Sequence, residues 1–181
     1  IQVANRDHDK WKGKAVAPMT VPRPGHADLT GAVKYGHTDL RMSLERASAR
    51  ETTARVAAGA TARKLLAAFG IRVGSYVVQI GSVRADVRAL SLDERLAGAA
   101  ASEVQCPEPT ASAAMVAHIQ ETMQARDTLG GVFEVVALGV PPGLGSHVQW
   151  DRKLDGRIGQ ALMSIHAIKG VEIGMGFGAA R

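Results

Sequence analysis

Two short stretches hold the side chains best suited to chemistry. In "RPGHAD", Arg23 to Asp28, Pro24 stiffens the backbone and Gly25 removes a side chain just before His26, so a flat ligand could approach closely. An imidazole titrates near neutral pH, which makes His26 a candidate proton donor or acceptor; the competing reading is a surface histidine in a proline turn. In "ERASARET", Glu45 to Thr52, Arg46 and Arg50 lie four apart and would share one face of a helix. Like charges at that spacing cost about 0.2–0.5 kcal/mol, which an anion could repay. Orphan amides at a helix start, two guanidinium groups and the hydroxyls of Ser48 and Thr52 suit a phosphate or a carboxylate. The alternative is a solvated helix face on which Glu51 pairs with Arg55.

Other signals are weaker. The glycines of "GVEIGMGFG" alternate without a following helix, and "GLGS" lacks the lysine of a P-loop, so neither is a nucleotide fingerprint. His118 and His166 have no second ligand at metal spacing, which favours structural roles. There is no G-x-S-x-G elbow and no cysteine placed as a nucleophile.

The elements that must position these residues alternate loosely between strand and helix. "IQVAN" alternates apolar and polar like a short strand. Residues 6–41 read as one long basic loop, rich in Pro and Gly, of the kind that is either functional or disordered. Ala58, Ala62, Leu65, Leu66 and Phe69 then recur at helical spacing before Gly70, a C′ signal. The small residues of "RVAAGATA" suggest close helix packing, which places residues 51–69 in an interior layer. "IRVGSYVVQI" and "VFEVVALGV" have strand composition. Ser91 with Glu94 suits a capping box. Val116, Ile119 and Met123 mark a further helix, and Leu154, Ile158, Leu162 and Ile165 another. "GVEIG" reads as a closing strand.

The chain has 181 residues, enough for one domain with an apolar core, and no apolar run of the ~18 residues a membrane span needs. Its opening residues form no signal peptide, and the single cysteine, Cys106, excludes an internal disulfide and fits a reducing compartment. The expected location is the cytoplasm. A net charge of +5 points to an anionic partner. The basic residues are dispersed and aromatics make up only 4%, which argues against a nucleic-acid surface.

Several blocks, in order, resemble the chorismate synthase family: "RPGHADLTGAVKYG", then Asp39 and Arg41, "ERASARETTARVAAGA", "DTLGGVFEVVALGVPPGLGSHV" and "DRKLDGRIGQALMSIHAIKGVEIG". The resemblance implies an α+β fold, a helical layer between two antiparallel sheets, of which residues 1–181 form the central part of a single domain. It implies a homotetramer, no membrane and no nucleic acid. It implies a lyase that removes phosphate from 5-enolpyruvylshikimate 3-phosphate by anti 1,4-elimination, giving chorismate. Reduced FMN is the implied cofactor, with NADPH a candidate reductant. His26 matches a catalytic histidine, and Arg23 and Arg50 match substrate-binding arginines. Arg46, Ala47 and Ser48 match one flavin-binding segment, and His166 with Ala167 a second.

Two positions depart from the pattern. His166 stands where the family usually has glutamine, and Met175 where it usually has an acid. Nothing here matches the family's "GESHG"-like block, its lysine-proline-serine-threonine block or its C-terminal arginine-serine-aspartate region. The ends, inside an apparent strand and straight after a glycine run, agree with a partial chain. An inactive fragment that keeps flavin or anion affinity is therefore one alternative. A basic nucleic-acid-binding protein is a more remote one.

Overall fold

The helix signals of the central region translate directly into structure. A computed structural model describes residues 1–47 and 49–180. It contains α1 (His8–Trp11), α2 (Asp28–Tyr35), α3 (Arg41–Leu44), α4 (Ala49–Ala68), β1 (Arg72–Ile80), β2 (Val83–Arg84), α5 (Leu92–Ala101), α6 (Pro109–Gln124), β3 (Gly131–Leu138) and α7 (Leu154–Met163). The chain is α+β, as expected. It divides into two compact units, Ile1–Ala62 with Pro142–Arg181, and Arg63–Pro141.

In the Arg63–Pro141 unit, α4 ends in a Schellman turn. Gly70 takes φ +75°, its amide donates to the Ala67 carbonyl at 3.0 Å, and the Ile71 amide reaches the Leu66 carbonyl at 3.0 Å. Three antiparallel strands follow in the order β2-β1-β3, with β3 running from Arg72↔Leu138 to Ile80↔Gly131. A register shift between Val77 and Gln79 makes Val78 an extra residue in β1. α5 begins with the capping box read from the sequence: the Ser91 hydroxyl accepts from the Glu94 amide, and the Glu94 carboxylate accepts from the Ser91 amide at 2.7 Å. α6 starts at Pro109, after Glu108 whose carboxylate accepts from the Thr110 and Ala111 amides at 2.8 and 2.7 Å. These helices give the sheet its core. Tyr76, Val78 and Ala99 form one buried cluster; Ala85, Cys106, Ala111 and Met115 form another. A fully buried side chain the size of Met115 contributes about 1.5–3 kcal/mol.

The other unit is built differently. Among its described residues the buried ones are Leu40 and two polar ones, Asp28 and Ser43. Its joints are hydrogen bonds. Asp39 caps the 39–41 turn, accepting from the Arg41 and Met19 amides at 3.0 Å each. Arg41 grips the same carboxylate and donates to the Val16 and Ala17 carbonyls at 3.2 and 2.6 Å. Together they fasten the 16–19 segment to the start of α3. Asp39 is accordingly held down to about 2, chiefly by the Arg41 guanidinium.

Several expectations are corrected. Residues 1–5 and 170–174 form no strand: alternation suits a strand only where a neighbouring strand supplies the other half of the ladder, and none of the described residues does so. The expected 6–41 loop contains α1 and α2. α2 carries a helix stop that the loop reading passed over, Gly36 at φ +68° with its amide on the Ala32 carbonyl. Most of α4, including Val56 and Leu65, is exposed within this chain, as is Phe69 just after it, so residues 51–69 are not an interior layer of it. A stripe of apolar residues shows that a face can be covered, not what covers it. Met123 is likewise exposed, and α6 buries Ala111 and Met115 instead. Ile165 lies beyond the end of α7.

Candidate functional site

All the described candidate residues lie in the Ile1–Ala62 with Pro142–Arg181 unit. Arg23 and His26 share the turn that leads into α2. The first carboxylate of that helix, Asp28, is fully buried and takes the Arg23 guanidinium as a fork: Nε donates to Oδ2 at 2.8 Å and Nη2 to Oδ1 at 2.9 Å. The Arg23 amide adds a third donor at 3.0 Å. These bonds hold the Asp28 carboxyl at about 2 and push the guanidinium of Arg23 further up. The fork fixes the arginine plane while leaving Nη1 outside the pair.

His26 is exposed, and its Nδ1 lies 2.9 Å from the Pro24 carbonyl oxygen. A carbonyl only accepts, so Nδ1 carries the hydrogen and Nε2 is the ring atom presented for chemistry. The proline of "RPGHAD" thus does more than stiffen the turn: it sets the tautomer. The charge of His26 also helps to hold Asp28 low, which places the imidazole within electrostatic reach of the buried carboxylate.

The "ERASARET" stretch is not one helix. α3 stops at Leu44, residues 45–47 turn, and α4 starts at Ala49. Arg46 is therefore in the turn and Arg50 in the helix, and the shared face expected from their spacing does not form. The bend lets each guanidinium avoid the repulsion a continuous helix would have imposed. Arg46 is exposed and Ala47 partly buried. Arg50 pairs with Glu45 at 2.7 Å, both side chains well exposed. Such a pair is worth about 0–1 kcal/mol, little enough for an anionic ligand to displace. Ser48, expected in the same segment, lies outside the described residues.

Farther along α4, Glu51 does pair with Arg55, as the helix-face reading had it. The contact does not end there. Arg55 Nη1 donates to Ser164 Oγ at 2.9 Å, and that hydroxyl donates to the Ala161 carbonyl at 2.7 Å, closing the last turn of α7. The other carboxylate oxygen, Glu51 Oε2, is shielded from solvent and has no hydrogen-bond partner among the described residues. Leaving such an oxygen unsatisfied costs about 1–3 kcal/mol. His166 Nδ1 lies 3.5 Å from it. Next to His166, Ala167 adopts φ +68°, a left-handed conformation that L side chains rarely take.

Among the described residues no hydrogen bond or ion pair joins His26 to Arg50. The structure brings together Arg23 with His26 through Asp28, and Arg55 and His166 through Glu51. The sequence gives no role to Asp28 or Ser164, and it offers Asp39 and Arg41 only as parts of the family pattern, not as a pair. The acidic partner five residues after Arg23 was the available signal for the first; the contact to Ser164 spans over a hundred residues and left none.

Fold and side chains together define the class: an α+β chain in which Arg23 with His26, and Arg55 with His166, are each brought together on a carboxylate of the same unit. The family profile described as chorismate synthase matches residues 1–181. The chorismate synthase of Symbiobacterium thermophilum is 64% identical over 196 aligned positions, covering 100% of this chain and 50% of the relative. That of Desulforudis audaxviator is 54% identical, covering 100% and 49%. A solved structure, "Crystal Structure of Chorismate Synthase", superimposes with a TM-score of 0.80 at 52% identity, over 86% of this chain and 49% of that one. The chain belongs to the chorismate synthase family. It spans about half the length of these relatives.

Proposed function

We propose that this chain supplies part of the active site of a lyase that converts 5-enolpyruvylshikimate 3-phosphate into chorismate and phosphate. The carrying observation is the Arg23–Asp28 fork beside His26, a fixed cation next to an imidazole whose free ring atom is Nε2. The family match over the whole chain supports the same reading.

Arg23 offers Nη1 to a phosphate or carboxylate oxygen while Asp28 keeps the guanidinium from turning away. Arg50 releases the exposed Glu45 and takes a second anionic group. His26 holds or moves a proton at Nε2, and a second positive charge there stabilises an anion beside it. In an enclosed site each of these contacts counts for more than it would in water.

The donor set also fits FMN. Arg46 is an exposed guanidinium in a turn at the head of a long helix, suited to a phosphate, and His166 with the left-handed Ala167 presents an imidazole and a bent backbone to a polar ring edge. We assign Arg46, Ala47, Ser48, His166 and Ala167 to it. Reduced FMN, when bound, supplies electron density to the bond that breaks as phosphate leaves. NADPH as its reductant, a homotetrameric assembly and a cytoplasmic location belong to the same proposal. Among the described residues no helix is long and apolar enough to cross a membrane.

The test is anaerobic. The 181-residue chain is titrated with FMN and with substrate, and chorismate and phosphate are then assayed with reduced FMN. Saturable binding of both ligands is expected, without turnover by this chain alone, because half of the relatives' length is not represented. Failure to bind either ligand would sink the reading.

A further inference from the structure

The acidic side chain of Glu51 is used at only one of its two oxygens. Oε1 takes the Arg55 guanidinium, and Arg55 in turn holds Ser164. Oε2 is shielded from solvent and receives nothing among the described residues, yet the imidazole of His166 stands 3.5 Å away with Nδ1 foremost. That distance is longer than a formed N–H···O bond and shorter than a water-separated pair. A carboxylate has no hydrogen to give, so any attractive contact here requires the proton to be on Nδ1.

We propose that Glu51 is a positioning residue for His166: its unpartnered Oε2 receives Nδ1–H, which fixes the tautomer and leaves Nε2 as the free acceptor of the His166–Ala167 turn.

Three features support this assignment. Buried carboxylate oxygens are almost always satisfied, and His166 is the ion-pair partner within reach of this one. The carboxylate cannot turn away, because Arg55 anchors its other oxygen and is itself anchored on Ser164, two residues before His166. Finally, Ala167 sits in a left-handed conformation that needs its surroundings to hold it, and a tether on the preceding side chain does so. The charged groups of the cluster are Glu51 and Arg55 from α4 and His166 itself from the segment after α7. Where FMN binds as proposed above, the tether decides which ring atom faces the flavin and in which role. That consequence rests on the flavin reading; the tautomer does not.

The test reads the tautomer directly. Long-range nitrogen–proton spectra of the ring nitrogens are recorded for the native protein and for Glu51→Ala, at a pH where the imidazole is neutral. Native His166 should carry its proton on Nδ1, and Glu51→Ala should move the majority to Nε2. Alanine is the best helix former, so α4 is kept. In Glu51→Gln the single amide oxygen stays on Arg55 and the NH2 faces Nδ1 as a donor, so this variant too should move the proton to Nε2 while keeping the shape of the side chain. Nε2–H in the native protein, or an unchanged tautomer in Glu51→Ala, would overturn the proposal. In parallel, Glu51→Ala should weaken FMN binding about tenfold, the size of one charge-assisted bond, and should have no further effect in a His166→Gln background. If the tautomer switches but FMN does not bind, the flavin reading fails alone. If FMN binds and the tautomer does not respond, the Glu51 tether fails alone.

Discussion

The Arg63–Pro141 unit and the unit of Ile1–Ala62 with Pro142–Arg181 are stabilised by different physics. In the first, a three-stranded sheet and two capped helices enclose apolar clusters around Tyr76 and Met115. A deeply set polar group there, the Tyr76 hydroxyl, is bracketed by Glu134 and by Arg95 Nη1 at 3.0 Å, and burial pushes the phenol up. In the second, the cores are replaced by brackets: Arg23 on Asp28, Arg41 on Asp39, His37 on Ser43 at 3.0 Å, Arg55 between Glu51 and Ser164. Every described candidate site residue is in the second. Apolar packing is non-directional, whereas paired hydrogen bonds hold titratable groups in fixed orientation. Ligand-binding regions in general are drawn from the parts of a structure that open at lower cost.

That contrast can be broken most forcefully in the packed unit. Met115→Ala, at a fully buried position, should cost about 2–5 kcal/mol in a denaturant melt followed by probes within residues 63–141. A loss below about 1 kcal/mol would mean that the cluster is not the core it resembles. In the bracketed unit the same scale of energy should surface in binding rather than stability. Arg50→Ala removes an exposed side chain and should change stability by no more than about 0.5 kcal/mol. It should also weaken binding of the phosphorylated substrate by roughly tenfold to a hundredfold, read by calorimetry. Unchanged affinity would return Arg50 to an ordinary helix surface.

The smallest expected effect is a matter of pH. Asp28 is held at about 2, below the ordinary value near 3.9, so the folded form resists protonation more than the unfolded one. Its stabilisation is therefore complete above about pH 4 and disappears as pH falls through about 2. Asp28→Asn should flatten the acid limb of melting in that window for the bracketed unit only. An unchanged limb would show that the fork orients Arg23 without stabilising the fold.

How far the sequence carried depended on the range of each interaction. Gly70 and the Ser91–Glu94 box are local devices, complete within a few residues, and both took the form their spacing implied. The Glu51–Arg55 pair is local too. "IQVAN" and "GVEIG" alternate as strands do, but a strand is a relation between two segments, and alternation specifies only one. The glycine and polar residues of α2 dilute its apolar period, so the pattern does not announce a helix, although Gly36 marks its end. The clearest case is His166. Its residue type was visible, yet its meeting with Glu51 spans more than a hundred residues and follows from tertiary structure alone. The family's residue pattern picked out the candidate residues; Pro24, Asp28 and Glu51 are the contacts of His26, Arg23 and His166, which only the structure displays.

Cys106 gives the contrast a clock. It is the chain's single thiol, it is enclosed in the Met115 cluster, and burial keeps it from ionising readily. A thiol reagent can reach it only during moments when that cluster parts, so the pace of labelling counts those moments without any engineered probe. Ligands that seat on the brackets and leave the labelling pace untouched would mark the two halves of this architecture as energetically separate; ligands that slow it would reveal that they are coupled.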